Sequence, residues 1–459
     1  MRLIIYVRRI LLISFFVFLF NQEKTIGQTE IMKWQDGKEA SVSLTWDDGS
    51  INHFRIAIPM MNERGFPGTF YLVTGNIPGS KYQRKFIGRP IREIILLSGK
   101  IPTNDENFFE RASAIVYSNY EVENGSSGEI YNLFRNSRPE EAFNMVDNIF
   151  SQIRKNNFKE VSKKTRNEDK LDYKPVMWDD IRKFASQGHE FAAHTISHPP
   201  LLILDEANLQ YEVEKSKEEM EIQLGSKYTF SYVNPGTEIY RKEYVEKRFS
   251  SIRDIMPEDE SYLKYFTGDA DENQGRNCGI IFEDYYRTIF RTLGKEYIMW
   301  RIGARTGTRV SAMKEWIDTS IKTNALLVYV FHGIDNIGWQ AKPKEEFVEL
   351  FDYLKSRENN VWIATMQDIQ KYIRERMKAI VSSEITNNTI KVKLTHSLDP
   401  VIYNIPLTLK TYVSSEWQSV QFKQGNNLKT LHVSKDLSGT YVLYQAVPNS
   451  AVITISKRE

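Results

Sequence analysis

The sequence predicts an α/β protein with parallel strands, followed by a small all-β domain. Three observations predict it. Short apolar or alternating runs recur, each followed by an amphipathic stretch, which is the strand-then-helix order of a parallel sheet. Acids and histidines stand where several of those runs end. From about Ala379 the texture changes to short alternating runs divided by turn residues, the pattern of a small β-sandwich.

The elements follow in order. "SVSLTW" (41–46) alternates in polarity and reads as the opening strand, closed by the turn signal "DDG". A helical stretch is expected over about 51–64, ended by "RGFPG", and "GTFYLVTG" (68–75) reads as a buried strand. Residues 76–174 are polar with helical pieces such as "PEEAFNMVDNIFSQIRK", and read as an insertion. "MWDDIRKFASQG" is an amphipathic helix with a Gly stop, "HEFAAH" a strand, "DEANLQYEVEKSKEEMEIQLG" a helix and "YTFSYVNPG" a strand and turn. A second polar stretch, 241–297, reads as another insertion. "NALLVYVFHG" is a strongly apolar strand, followed by a helix at "PKEEFVELFDYLKSRENN", a strand at "VWIAT" and a last helix at "MQDIQKYIRERMK". The expected organisation is therefore 1–27 as a leader, 28–378 as the α/β domain and 379–459 as the β domain.

Composition excludes some classes. The 61 basic and 59 acidic residues give a net charge of +2, so nothing asks for nucleic acid as partner. Arg2, Arg8 and Arg9 precede the apolar run Ile10–Phe20, the form of a secretory signal. That run is shorter than the ~20 residues of a comfortable membrane span, so an uncleaved N-terminal anchor is the only membrane attachment left open. The expected location is exported: periplasmic, cell-surface or secreted. Cys278 is the single cysteine, so no intramolecular disulfide can form and the core must carry the fold.

The chemistry gathers at strand ends. Asp47 and Asp48 follow "VSLTW", His194 and His198 follow "HEFAA", Pro235 and Gly236 follow "YTFSYV", and His332 follows "LLVYVF". Parallel strands of one sheet share a C-terminal face, so side chains distant in sequence converge there. The i, i+4 spacing of "HTISH" sets two imidazoles to one side of a turn or helix, and one aspartate completes a His-His-Asp set suited to zinc. The second aspartate is then a natural general base beside the metal. Taken singly, an Asp-Asp-Gly is a turn and a strand-ending histidine is a buried side chain; together they make a site. His189, at the opposite end of its strand, reads as structural.

"LTWDDG", "GHEFAAHTISHP" and "LLVYVFHG", in this order, resemble the signature segments of the polysaccharide deacetylase family, the NodB-homology group or carbohydrate esterase family four. The resemblance runs from about Ser41 to Arg376, interrupted by the two insertions. It implies a distorted (β/α) barrel with fewer than eight regular units. It further implies Asp47 as general base, Asp48, His194 and His198 as ligands of a divalent metal (Zn2+, with Co2+, Ni2+ or Mn2+ as alternatives), and His332 as general acid. Two departures stand out. The family carries an Arg before Pro and Gly that orients the base, whereas this chain reads "SYVNPGTE", with Tyr232 or Val233 near that place. "RIGARTGTR" offers a replacement, expected to be Arg305. The family's Asp and Trp of a fourth motif have no clear counterpart, since Trp316 and Asp318 in "KEWIDTS" read as a helix face.

The implied reaction is hydrolysis of an acetyl group on an acetylated glycan. Asp47 takes a proton from water, the metal and a backbone N–H of the "NPGT" turn, which holds Asn234 and Gly236, are candidates to meet the oxyanion, and His332 protonates the leaving group. Trp46, Tyr232 and Trp339 are candidates for the sugar pocket. Three readings stay open: an N-deacetylase of an amino-sugar polymer or oligomer, an O-acetyl esterase on xylan or another glycan, and a catalytically silent glycan-binding homologue.

Overall fold

The computed structural model describes residues 24–161, 174–236, 244–245, 247–254, 280–281, 298–300, 302–303 and 307–458. The leader at 1–27 therefore falls largely outside the described residues, and Cys278, Arg301 and Arg305 fall outside them entirely. Among the described residues no helix is long and apolar enough to cross a membrane. The chain divides into two compact units, Ala40–Gln367 and a second made of the residues up to Glu39 with Asp368–Glu459.

The larger unit is a curled sheet with helices outside it. Strand β1 (Thr29–Ile31) belongs to the other unit. The curled sheet contains β2 (Ala40–Trp46), β3 (Thr69–Leu72), β4 (Glu190–Ala193), β5 (Ser231–Val233), β6 (Ser251–Asp254), β7 (Ile280–Ile281), β8 (Ile298–Trp300), β9 (Ile302–Gly303), β10 (Leu326–Phe331) and β11 (Val361–Ile363). Their order is β7-β10-β2-β3-β4-β5-β6-β8, with β11 also on β2 and β9 on β10. Every pairing is parallel except β10 with β7. Residues 298–300 pair with β6 and residues 302–303 with β10. This is a curled, mostly parallel half-barrel with helices outside it.

The sequence explains the two faces. Every residue of β2 is buried, as expected for a strand covered on both sides. Val42, Leu44 and Trp46 join Leu327, Tyr329, Phe331, Phe70 and Phe191 in the apolar layer. Helices α1 (Ile58–Glu63), α6 (Trp178–Ser186), α7 (Glu206–Leu224), α8 (Val310–Lys322) and α9 (Lys344–Ser356) close that layer, through residues such as Met61, Ile181, Leu209, Ile317 and Leu350. The opposite face of the sheet carries Tyr71, Ala192 and Val233, with buried Ser41, Ser43, Thr45 and Arg253. The first insertion is helical as expected: α2 (Ile91–Leu97), α3 (Phe108–Tyr117), α4 (Ser127–Arg135) and α5 (Pro139–Lys155). It has its own apolar cluster, including Phe108, Phe143, Val146 and Phe150.

Two sequence expectations need correction. The stretch 241–297 is not simply an insertion, because β6 lies inside it and takes a place in the barrel between β5 and β8. The boundaries at 28 and 378 also shift. β1 pairs antiparallel with β14 (Leu407–Tyr412), Thr29 opposite Thr411. The Tyr372 hydroxyl on α10 (Met366–Lys378) donates to the Met32 carbonyl at 2.9 Å. The segment before Glu39 and most of the last helix therefore belong with the C-terminal strands.

The smaller unit holds two antiparallel sheets. One has the order β1-β14-β18-β17 and the other β12-β13-β19-β15-β16. The remaining strands are β12 (Ile380–Thr386), β13 (Thr389–Thr395), β15 (Ser419–Gln424), β16 (Asn427–His432), β17 (Ser434–Asp436), β18 (Gly439–Ala446) and β19 (Ile453–Lys457).

Candidate active site and metal centre

The opening pair of acids sits where β2 ends. The Asp47 N–H still donates to the Phe331 carbonyl of β10 at 2.9 Å, so this residue remains held by the sheet. The chain then turns sharply: Asp48 has φ +76° and Gly49 φ +68°. Aspartate tolerates the left-handed region better than most residues, and such strain collects at functional sites. The turn sends the two carboxylates to different partners.

Asp48 meets the two histidines. Its Oδ1 lies 3.5 Å from His194 Nε2 and 3.5 Å from His198 Nε2. One ligand atom from each of the three residues falls within 4.8 Å of the others. The histidine pair is not helical. It lies in a loop after β4 in which Thr195 and His198 have φ +66° and +58°, and the two rings stand 4.7 Å apart at 77°. His194 Nδ1 is 2.9 Å from the Val233 carbonyl, which makes that nitrogen a donor and turns Nε2 toward Asp48. An oxygen and two imidazole nitrogens converging in this way fit a zinc-type divalent cation. Burial raises the cost of charge on Asp48, but the His194 hydrogen bond and the neighbouring histidines outweigh it and hold its pKa at about 2. His198 stands at the mouth, its side chain 43% exposed, yet the surrounding walls and then His194 push its pKa down to about 4. Both shifts favour the ligand forms, carboxylate and neutral imidazole.

Asp47 faces the other way, into the barrel. Its carboxylate is 5% exposed and pairs with Arg253, whose side chain is fully buried on β6. Arg253 also donates to Thr45 Oγ1 at 2.7 Å and lies over the Tyr71 ring, 4.5 Å from its centroid. His332 Nε2 is 3.7 Å from the same Asp47 oxygen. Burial opposes the charge on Asp47, but Arg253, then His332, overcome it and hold the carboxyl well below its ordinary range. The other oxygen, Oδ1, is buried without a hydrogen-bond partner in the described protein, so it can accept a proton or hydrogen bond.

Asp47 thus has a buried arginine partner from β6. Arg305 lies outside the described residues, and the arginine on Asp47 is Arg253. Its signal was faint: "SIRD" is four residues long, two of them charged, inside a polar stretch. Arg309 is exposed and precedes α8.

The other candidates divide. Trp339 is 56% exposed and sets its ring edge-on to His332 at 4.5 Å, so it lines the mouth. Its carbonyl accepts from the Gly333 N–H at 2.8 Å. A side chain at Gly333 would place its Cβ 2.5 Å from the Ile337 carbonyl oxygen, which explains glycine there. Trp46 and Tyr232 do not line a pocket. Trp46 is fully buried among His53, Phe70, Phe331 and Phe347, and Tyr232 is fully buried against Phe249 at 4.5 Å. Strand alternation turns both to the helix side, which the residues alone left undecided. Asn234 is buried with neither side-chain atom bonded in the described protein, and Gly236 turns at φ +86°. Trp316 and Asp318 lie on α8 as expected, Trp316 in the apolar layer. His189 is structural as expected: its Nδ1 accepts from the Gly68 N–H at 3.1 Å.

One supporting residue went unseen. His53 is fully buried, and its Nε2 bonds the His332 carbonyl. It lies in a single π-type turn (His53–Ala57) just after the acidic pair, a geometry frequent near functional sites.

A family model described as polysaccharide deacetylase matches residues 128–248. The match contains His194 and His198, while Asp47, Asp48 and His332 lie outside it. No curated protein matches the chain. Among solved structures, a chitin deacetylase from Colletotrichum lindemuthianum is 12% identical with a TM-score of 0.32, over 75% of this chain and 92% of its own. A family 4 carbohydrate esterase from Streptomyces lividans, in complex with acetate, is 11% identical with a TM-score of 0.32, over 72% and 95%. A peptidoglycan deacetylase from Bacillus subtilis is 10% identical with a TM-score of 0.31, over 74% and 93%.

Proposed function

We propose that this protein is a metal-dependent hydrolase that removes acetyl groups from a carbohydrate, with an N-acetylated amino-sugar polymer or oligomer as substrate. The observation that carries the reading is the convergence at neighbouring strand ends. Asp48, His194 and His198 offer three ligand atoms within 4.8 Å, and Asp47 and His332 face each other beside them. Asp48, His194 and His198 would hold a divalent cation such as zinc, which would supply Lewis acidity and acidify nearby water when bound.

The remaining roles belong to the chain. Asp47 accepts the proton of the attacking water. Its lowered pKa keeps it ionised but makes it a weak base, so its use depends on water already made acidic at the site. Arg253 fixes the carboxylate while leaving Oδ1 available. His332 donates a proton to the departing amine or alcohol, and its position is held through its carbonyl by His53. The N–H groups of the Asn234–Gly236 turn meet the oxyanion. Trp339 supplies an apolar rim for a sugar ring. An arginine paired with the base also weighs against a catalytically silent homologue. We further propose export, on the basic and then apolar N-terminus.

Acetate release from N-acetylated chito-oligosaccharides and peptidoglycan, measured beside acetylated xylan, tests the substrate reading. Release from the N-acetylated set is expected. Release from xylan alone would replace it with an O-acetyl esterase.

A further inference from the structure

The two histidine ligands sit on a loop that does not hold itself. Within residues 195–198 the local support is the His198 N–H to Thr195 Oγ1 bond at 3.0 Å, and two residues have positive φ. The loop is instead tied to Glu212, on α7. Glu212 Oε2 accepts from the Ile196 N–H and the Ser197 N–H, both at 2.9 Å. Its Oε1 accepts from the Ser197 hydroxyl at 2.6 Å and from the Tyr117 hydroxyl at 2.8 Å. Glu212 is fully buried, and a buried carboxylate is retained only where such bonds compensate it. Tyr117 ends α3, so the fourth bond comes from the helical insertion. On the other side, the Gly75 N–H donates to the Ile196 carbonyl at 2.9 Å. A Cβ at Gly75 would stand 2.6 Å from that oxygen, so the loop is gripped closely from both sides.

We propose that Glu212 is the positioning residue of the metal centre, and that Tyr117 extends this support into the insertion. Glu212 touches neither the metal ligands' side chains nor any reacting group. It fixes the backbone between His194 and His198, and so sets the spacing at which the two imidazoles meet Asp48. The insertion thereby becomes part of the metal site's framework. The inference rests on the reading of Asp48, His194 and His198 as metal ligands.

The test uses the full-length protein with Co2+ as probe. Cobalt affinity is measured by competition with a chelator, the visible spectrum of the bound ion reports ligand geometry, and melting of the metal-free protein reports the fold. Glu212→Gln is expected to weaken cobalt affinity by about 10–100-fold, the usual effect of losing an outer support, and to change the spectrum. Tyr117→Phe is expected to move both in the same direction by less. An unchanged affinity and spectrum in Glu212→Gln, with or without a lower melting temperature, overturns the proposal. If Glu212→Gln does not fold, Tyr117→Phe decides: wild-type affinity and spectrum there overturn it. A wild type that binds no cobalt overturns the ligand reading as well, so the two failures are distinguishable.

Discussion

Arg253 and Asp47 form the buried pair on which the proposed base depends, and removing one partner has a calculable consequence. The Arg253 side chain is 0% exposed and the Asp47 side chain 5%. Substituting Arg253→Met keeps roughly the side-chain length and its packing over Tyr71, but leaves a carboxylate buried without its cation. Breaking a buried pair in this way costs about 3–5 kcal/mol. Asp47→Asn leaves Arg253 facing a neutral amide oxygen and should cost less, about 1–3 kcal/mol. The double variant, Arg253→Met with Asp47→Asn, removes both charges, should recover much of the loss and closes the cycle that gives the coupling energy. Urea unfolding of the metal-free proteins at pH 7 measures these differences without a contribution from bound ion. The sign of the pH dependence gives a second reading. In wild type, the lowered Asp47 pKa makes the pair's contribution complete above the unfolded value near 3.8 and lost only below it. In Arg253→Met, burial is opposed only by His332 and His194, so the Asp47 pKa rises relative to wild type and lowering the pH costs that variant less stability. The gap between the two proteins should therefore narrow toward pH 4. A coupling energy under about 0.5 kcal/mol, typical of exposed pairs, would refute the argument that Arg253 orients the base.

Two further outcomes are expected. His332→Ala should keep the bound metal and the fold while turnover falls by ~10²–10⁴, the range for a positioned proton donor; metal analysis, melting and acetate release on the one variant check this. Stability should be level above pH 6.5 and fall between about 6.5 and 4, because buried His189, whose pKa is pushed down to about 4, must stay neutral to accept the Gly68 N–H. Unfolding takes up the proton in that window, so acid favours the unfolded chain by about 3 kcal/mol for this residue. Urea midpoints across the range should show a shallower slope in His189→Gln.

Much of the site was legible because strand ends are legible. "VSLTWDD", "FAAHTISH" and "LVYVFH" each join a run with strand pattern to a side chain of known chemistry, and parallel pairing brings the runs together. Asp47, Asp48, His194, His198, His332 and Trp339 all stand at one place for that reason. Arg253 was not legible, because a four-residue strand with an inward Arg looks like loop in one dimension, and its ion-pair partner Asp47 lies 206 residues away along the chain. Glu212 looked like any acid on a charged helix; its burial depends on Tyr117 arriving from the insertion. Trp46 and Tyr232 were misplaced by a single step of strand alternation, which reverses the face a side chain takes. β1 escaped notice because three residues pair with a strand nearly the whole chain away.

The central claim is that Asp48, His194 and His198 hold the metal that this hydrolase needs. The most direct measurement is acetate release from an N-acetylated oligosaccharide by chelator-treated protein, followed through re-addition of Zn2+, for wild type and Asp48→Asn side by side. The account predicts activity lost on chelation, restored in wild type at one zinc per chain, and not restored in Asp48→Asn at the same concentration. Full activity in the chelated protein, or equal restoration in both proteins, would contradict it.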